Sequence, residues 1–317
     1  MSGIKIIFGC ALVQTGSGFA TPDAVESALD VLSAAGVGHL DTAQLYGDSE
    51  DLLGQVKAGR RFVIDTKVPG GFREGTLRSE ALIEGARRSL GKLGVDKVDV
   101  FYIHAPDAKV PLEDWLPGLD QLHKSGVFSR FGVSNFKAEE VQRVYDHCKE
   151  KGYVLPSVYQ GNYSAVARLQ ETLLLPTLRK LKISFYAYSP IAGGFLTRTK
   201  ESLNEEKGRF DTSTAMGERY NSLYSKPALL AALEKWDDLA AEAGCEKAEV
   251  AYRWVAWNSV LREEFGDAII VGASKLQQLE QSLAWLKKGP LDEKTCKAID
   301  DVWKTVQHEA PLDNYNR

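Results

Sequence analysis

The feature that most limits the fold of this chain is the alternation of β-rich and amphipathic segments along its length. Residues 4–8, 39–41, 62–67, 98–103, 127–133, 156–160, 183–188 and 268–271 read as short, β-rich strands. Between and after them, 21–35, 50–57, 76–93, 112–125, 139–151, 170–181, 227–243, 247–258, 276–287 and 292–307 read as helices. The first helix shows the local logic. Thr21 suits an N-cap, Pro22 suits the first helical position, and Val25, Ala28, Leu29 and Leu32 fall on one face. In 76–93 the same spacing recurs in Leu82, Ala86, Leu90 and Leu93. Strands separated by helices imply parallel pairing through right-handed crossovers. About eight such units, with no composition break or linker, predict an α/β fold, a (β/α)8 TIM barrel, as a single domain over residues 1–317. A doubly wound sheet is the alternative. Residues 191–226 carry no clear pattern and read as a long irregular loop after the seventh strand, serving as a lid or binding loop. An extra C-terminal helix and a tail complete the chain.

Bulk composition narrows the function. The 317 residues are 44% hydrophobic and 26% charged, enough to bury a large core, and the net charge of −4 comes without a polybasic face, which argues against nucleic acid. No apolar run has membrane-spanning length and the N-terminus offers no signal segment, so a cytoplasmic location is expected. Cys10, Cys148, Cys245 and Cys296 lie far apart, with no CxxC pair, which suggests reduced thiols and no metal site.

In a barrel the C-terminal strand ends converge on one mouth. Here they carry Asp41, Lys67, His104, Asn135, Gln160 and Tyr188, with Tyr46 on the loop after the second strand. Singly each has an ordinary explanation: a turn aspartate, a solvated lysine, a satisfied histidine, a half-buried tyrosine. Several titratable types from successive units aimed at one place point to chemistry. A lysine beside a tyrosine favours phenolate and is expected to lower the phenol pKa, with an aspartate holding the lysine. Such a tyrosine can pass a proton to a carbonyl oxygen while a hydride reaches carbon, and a histidine can orient that carbonyl. No nucleophile elbow or carboxylate pair for glycosidic cleavage is recognisable, so carbonyl reduction with a hydride-donating cofactor fits better than hydrolysis.

These residues sit in an ordered series that resembles the aldo-keto reductases: Asp41-Thr42-Ala43 with Tyr46-Gly47, the Lys67 strand end, Tyr102 to Asp107, Gly132 to Phe136, Gln160 with Asn162-Tyr163, Ala187 to Leu196, and Val271 to Ser274. Within that superfamily the pattern is most similar to the aflatoxin aldehyde and succinic semialdehyde reductases, including 266–272, 276–281, 289–291 and the ending from His308 to Arg317. The resemblance implies a catalytic tetrad of Asp41, Tyr46, Lys67 and His104, with Tyr46 as acid/base. It implies NADPH/NADP+ extended across the mouth, reaching Asp41, with Ser134, Asn135 and Gln160 on the carboxamide and Tyr188 stacked on the nicotinamide. Ser189, Pro190, Ile191, Gly193, Gly194 and Leu196 would cover the pyrophosphate, with either Arg198 or Lys200 meeting the phosphate. Ser274, Lys275, Gln278, Gln281 and Ser282 would line the adenosine end. A GxGxxG fingerprint is not expected, because this family does not use a Rossmann domain.

The substrate side would comprise His104, Leu45, Arg219 and Arg317. Two guanidiniums would favour a carboxylate-bearing or dicarbonyl aldehyde. The tail carries two extra residues, Leu312-Asp313, relative to those relatives. The expected partner is a small carbonyl compound, with neither nucleic acid nor membrane, and a homodimer is compatible with it. The alternatives are a reductase dedicated to one metabolite of a secondary pathway, and a non-catalytic nucleotide-binding subunit.

Overall fold

The computed structural model describes residues 3–203 and 208–316. Eight parallel strands close a barrel in sequence order: β1 (Lys5–Gly9), β2 (His39–Asp41), β3 (Val63–Val68), β4 (Val98–Ile103), β5 (Phe128–Ser134), β6 (Pro156–Asn162), β7 (Ser184–Tyr188) and β8 (Ala268–Val271). β8 returns to β1 with Lys5 beside Ala268 and Phe8 beside Val271. Ile7, Val100, Tyr102, Val158, Tyr186, Ala268 and Ile270 fill the barrel interior, so it is a packed core and not a channel.

The helices are α1 (Pro22–Ala34), α2 (Ser49–Gln55), α3 (Ser79–Leu93), α4 (Leu112–Lys124), α5 (Ala138–Lys151), α6 (Gln170–Leu173), α7 (Leu175–Leu181), α8 (Lys200–Leu203), α9 (Ala215–Tyr224), α10 (Pro227–Glu242), α11 (Lys247–Arg253), α12 (Leu276–Leu286) and α13 (Glu293–Val306). In α1 the Thr21 hydroxyl accepts from the Ala24 N–H as its cap, and Val25, Ala28, Leu29 and Leu32 are buried as their spacing predicts. α13, with Asp292 as cap, packs back against α10. None of the described helices is long and apolar enough to cross a membrane.

Four segments depart from expectation. The start expected at Thr76 slips to Ser79, because Gly75 is left-handed (φ +77°) and the Thr76 hydroxyl donates to Gly70 O and Arg73 O in a turn. The helix expected over 170–181 breaks at Leu174 (φ −129°), and α7 restarts with Pro176 in its first turn, where the missing N–H costs nothing. The segment 247–258 ends in a π-turn at Trp254–Asn258. Among the described residues of the loop read as irregular over 191–226 lie two helices, α8 and α9, while 204–207 fall outside the described residues. Thr214 caps α9 by accepting from the Gly217 N–H, and Tyr220, Leu223 and Tyr224 bury one side of it.

Candidate active site

β2 is only three residues long and delivers Asp41 at its end, buried beside the Lys67 side chain of β3. Lys67 Nζ donates to Asp41 Oδ2 at 2.7 Å and to Thr42 O at 2.8 Å, and stands 3.4 Å from the Tyr46 hydroxyl. Gln160 Nε2 donates to Asp41 Oδ1 at 2.8 Å, so both carboxylate oxygens are held. The Tyr46 and His104 rings meet edge to face at 5.7 Å. Asp41, Tyr46, Lys67 and His104 therefore converge as the sequence predicts, in one cluster at the barrel mouth.

Burial pushes the Asp41 carboxyl above the usual carboxylate range, against the pull of Lys67. For Lys67, burial works to depress the ammonium, but Asp41 and Tyr46 outweigh it and hold it above its ordinary value. The proton of the pair belongs on the lysine. Burial and the Lys67 charge hold His104 well below 6.5, with Arg219 adding to the effect, so the imidazole is neutral at pH 7. The expected lowering of the Tyr46 phenol is corrected here: burial raises it, and Lys67 offsets only part of that rise while Asp41 adds to it. Tyr46 is consequently protonated at neutral pH, the state a proton donor needs.

Around this cluster the strand ends offer hydrogen-bonding groups. Asn135 Nδ2 donates to His104 O at 2.9 Å and to Ser134 Oγ at 3.2 Å, and Tyr188 donates its hydroxyl proton to Asn135 Oδ1 at 2.7 Å. Asn135, Ser189 and Ala192 all adopt positive φ (61°, 55° and 52°), a conformation uncommon outside glycine that gathers at ligand sites. After β7, Pro190 and Leu196 are buried, Ile191 is half-buried, and Gly193 and Gly194 (φ +68° and +103°) turn the chain in a conformation that residues with a side chain rarely adopt. A Cβ on Gly193 would lie 1.9 Å from Tyr220 Cε1.

At the far end of the mouth, Lys275 is the N-cap of α12 and no side chain caps that terminus, so its first-turn N–H groups are of the kind that suit an anion. Lys275, Gln278 and Gln281 are exposed there and Ser282 is buried, while Gln278 Oε1 accepts from Ser274 N and Ser274 Oγ. Orphaned buried polar atoms at the strand ends and tail (His104 Nδ1, Asn162 Nδ2, Asn314 Oδ1), the left-handed backbone and the cationic helix terminus together fit an extended dinucleotide.

Of the two candidates for the phosphate after β7, Arg198 donates to Ser202 O at 2.9 Å and stacks on Phe210, and Lys200 is exposed. A different cation faces the cluster. Arg209 donates to the Tyr220 hydroxyl at 2.9 Å, lies over that ring, and is close enough to Tyr46 to favour its phenolate. Burial works to raise the Tyr220 phenol, but Arg209 and Ser189 outweigh it and take it below 10. Arg209 lies in the stretch read as an irregular lid or binding loop, and nothing in its sequence context distinguished it from a surface arginine.

The substrate-side residues split. Arg219 lies over the Phe72 ring at 5.2 Å, and Phe72 stands edge-on to both His104 (5.2 Å) and Tyr315 (5.1 Å). Leu45 is half-buried beside Tyr46 in the chain. Arg317 lies outside the described residues. Phe72 and Tyr315 were not anticipated, because an aromatic in a loop or tail gives no periodic signal.

The other end of the barrel is occupied differently. His39, Asp65 and Asp99 form the only trio among the described residues close enough to share a metal ion. Lys5 Nζ already meets His39 Nδ1 at 2.7 Å, His39 Nε2 stands 3.0 Å from Asp65 Oδ1, and Arg130 pairs with both Asp99 oxygens, so His39 and Asp99 are already engaged by cations. A cleft of about 460 Å³ beside it is lined by Val37, Val63, Trp257 and Leu286, and its only ionisable residues are Lys5 and His39, in that same network. The reactive constellation belongs to the C-terminal mouth.

The family model described as "Aldo/keto reductase family" matches residues 5–304. This chain belongs to the aldo/keto reductase family. A protein named "Oxidoreductase sirO" from Leptosphaeria maculans is 42% identical over 89% of this chain and 86% of its own length. "Aflatoxin B1 aldehyde reductase member 2" of Rattus norvegicus is 37% identical over 89% of this chain and 80% of its own. "Aldo-keto reductase pigE" of Monascus ruber is 31% identical over 95% and 94%. The protein is thus an oxidoreductase of a family that acts on small carbonyl compounds with a nicotinamide dinucleotide.

Proposed function

We propose that this aldo/keto reductase reduces aldehydes to alcohols with NADPH, using Tyr46 as the general acid. The observation that carries the proposal is the buried Lys67–Asp41 pair, with Lys67 Nζ 3.4 Å from the Tyr46 hydroxyl and neutral His104 beside it. When bound, the reduced nicotinamide supplies the hydride. Tyr46 gives its proton to the carbonyl oxygen, and Lys67 steadies the phenolate that remains. Asp41, gripped by Gln160, keeps Lys67 aimed. A neutral imidazole can donate one N–H to the carbonyl without competing for the proton, which positions the carbonyl oxygen between His104 and Tyr46. Ser134, Asn135, Gln160 and Tyr188 hold the nicotinamide end. The glycine turn after β7, with Arg209, covers the pyrophosphate. Lys275, with Ser274, Gln278, Gln281 and Ser282, receives the adenosine end, and its charge favours the phosphorylated cofactor over NADH.

The pocket beside the tetrad combines aromatic walls from Phe72 and Tyr315 with the Arg219 guanidinium, which has no carboxylate partner among the described residues. It suits an aldehyde carrying a carboxylate or a second carbonyl. Relatives named as aflatoxin aldehyde reductases support aldehydes as the substrate class. The whole chain acts as one catalytic domain, because α13 and the tail pack back on the barrel elements. Loss of reduced-nicotinamide absorbance with a panel of aldehydes tests this. Turnover with NADPH is expected. Tight NADPH binding, seen by fluorescence quenching, without turnover of any aldehyde would overturn it in favour of a nucleotide-binding subunit.

A further inference from the structure

Residues 311–316 do not trail into solvent. Asp313 is 1% exposed, and both of its carboxylate oxygens are occupied by the tail itself. Oδ1 accepts from Tyr315 N at 2.7 Å and Asn316 N at 2.6 Å, and Oδ2 accepts from Asn316 Nδ2 at 2.8 Å. No lysine or arginine among the described residues pairs with it, so the carboxylate is kept inside by these N–H donors. Gln170 Nε2 anchors the turn from α6 by donating to Leu312 O at 3.1 Å.

From this knot the tail reaches the nicotinamide end of the mouth. Asn316 Nδ2 donates to Asn135 O at 2.9 Å, and Asn314 N donates to the Tyr188 hydroxyl at 3.1 Å. Tyr188 in turn donates to Asn135 Oδ1, and Asn135 Nδ2 donates to His104 O. The backbone carbonyl and side-chain oxygen of Asn135 are thus held directly by the tail or by a tyrosine that the tail holds. Asn135 sits at φ +61°, a left-handed conformation that asparagine tolerates better than most residues and that these contacts hold in place. On its other side the tail lays Tyr315 against Phe72, which abuts His104. Gly71 makes this possible, since a Cβ there would come within 2.3 Å of the Tyr315 hydroxyl.

We propose that Asp313 is a positioning residue: the turn it builds locks Asn135 and Tyr188 in the pose that receives the nicotinamide ring, so that the tail joins the substrate pocket to the cofactor platform. This rests on the proposed role of Asn135 and Tyr188 at the nicotinamide end. Removing the turn leaves Asn135 O without Asn316 and the Tyr188 hydroxyl with Asn135 alone, which frees the ring to swing.

The test compares the full-length protein with Asp313→Ala, Asp313→Asn and Asn316→Ala. Four quantities are read: NADPH Kd by intrinsic fluorescence quenching, release of C-terminal residues from the cofactor-free protein by carboxypeptidase, kcat separately from KM, and the melting temperature. Asp313→Ala should speed carboxypeptidase release, raise the NADPH Kd by about tenfold, the scale of one or two lost neutral hydrogen bonds, and lower kcat. Asp313→Asn retains an oxygen for the two backbone N–H groups and should fall between wild type and Asp313→Ala in all three. Asn316→Ala, which deletes the Asn135 contact while sparing the carboxylate, should raise the NADPH Kd as well. If Asp313→Ala folds and binds NADPH as wild type does with unchanged kcat, the proposal is wrong, even if the aldehyde KM rises. If Asp313→Ala does not fold, an unchanged NADPH Kd in Asn316→Ala overturns it. A wild-type protein that neither binds NADPH nor turns over an aldehyde would refute the functional assignment itself, whereas an active wild type with indifferent variants refutes only the clamp.

Discussion

Replacing Lys67 with methionine keeps the side chain's length and apolar stem and deletes its charge. Lys67 is fully buried, and its ammonium makes a 2.7 Å bond to Asp41 and a 2.8 Å bond to Thr42 O. Lys67→Met leaves Asp41 buried with only Gln160 as donor, and breaking one side of a buried pair costs about 3–5 kcal/mol. A chain of 317 residues has an unfolding entropy of about 0.67 kcal/mol/K at roughly 2.1 cal/mol/K per residue, so the melting temperature should drop by roughly 4–8 °C. Asp41→Asn should cost a similar amount by orphaning the lysine. The double variant carries neither charge and keeps an amide that can still meet Gln160. It should recover about 0.5–3 kcal/mol relative to the two single losses added together. Turnover should fall about 100-fold or more in Lys67→Met, because Tyr46 loses the one group of the tetrad that eases its ionisation. Scanning calorimetry of the four proteins gives the cycle. Strict additivity of the two single losses would show that Lys67 and Asp41 are not a coupled pair.

Three further outcomes follow from the same geometry. His104 is held below 6.5 and Tyr46 above 10, so the neutral imidazole and protonated phenol coexist across that interval; the acid form of Tyr46 is present below its raised pKa and lost above it. The kcat for reduction should be flat from pH 6.5 to 10 while alcohol oxidation climbs with pH, and a limb near 6.5 in a pH–rate profile would contradict this. Gly193→Ala forces a Cβ to within 1.9 Å of Tyr220 at φ +68°, so NADPH titrations should show Kd raised by about tenfold or more, with a lower melting temperature. Arg219→Met should raise KM for a carboxylate-bearing aldehyde by about tenfold while leaving that of an uncharged aldehyde nearly unchanged, as steady-state kinetics would show.

The barrel and its tetrad were legible because period and position coincide: short strand-like segments lead into Asp41, Lys67 and His104, and closure of the barrel brings those ends together. What stayed hidden depends on distances across the fold. The Lys67 charge beside Tyr46 was foreseeable, but the desolvation that outweighs it depends on burial that no motif reports. α9 was missed because Gly217 and a polar run mask its three buried apolar positions, leaving the Thr214 cap as the one local signal. The resemblance implied Arg198 or Lys200 as the phosphate ligand, yet Phe210 and Ser202 O engage Arg198 within its own loop, and Arg209 stands nearer the chemistry. Leu312 and Asp313 were visible only as extra tail length; that Asp313 folds the tail onto Asn135 depends on contacts spanning half the chain.

The central claim is that Tyr46 is the proton donor of a carbonyl reduction, and Tyr46→Phe tests it most directly. The substitution keeps the ring that packs on His104 and removes only the hydroxyl facing Lys67. Reduced-nicotinamide consumption with a saturating aldehyde should fall by about 100-fold to 10,000-fold, the usual worth of a positioned acid, while NADPH binds with unchanged Kd. A Tyr46→Phe protein that still reduces the aldehyde at the wild-type rate would contradict the mechanism.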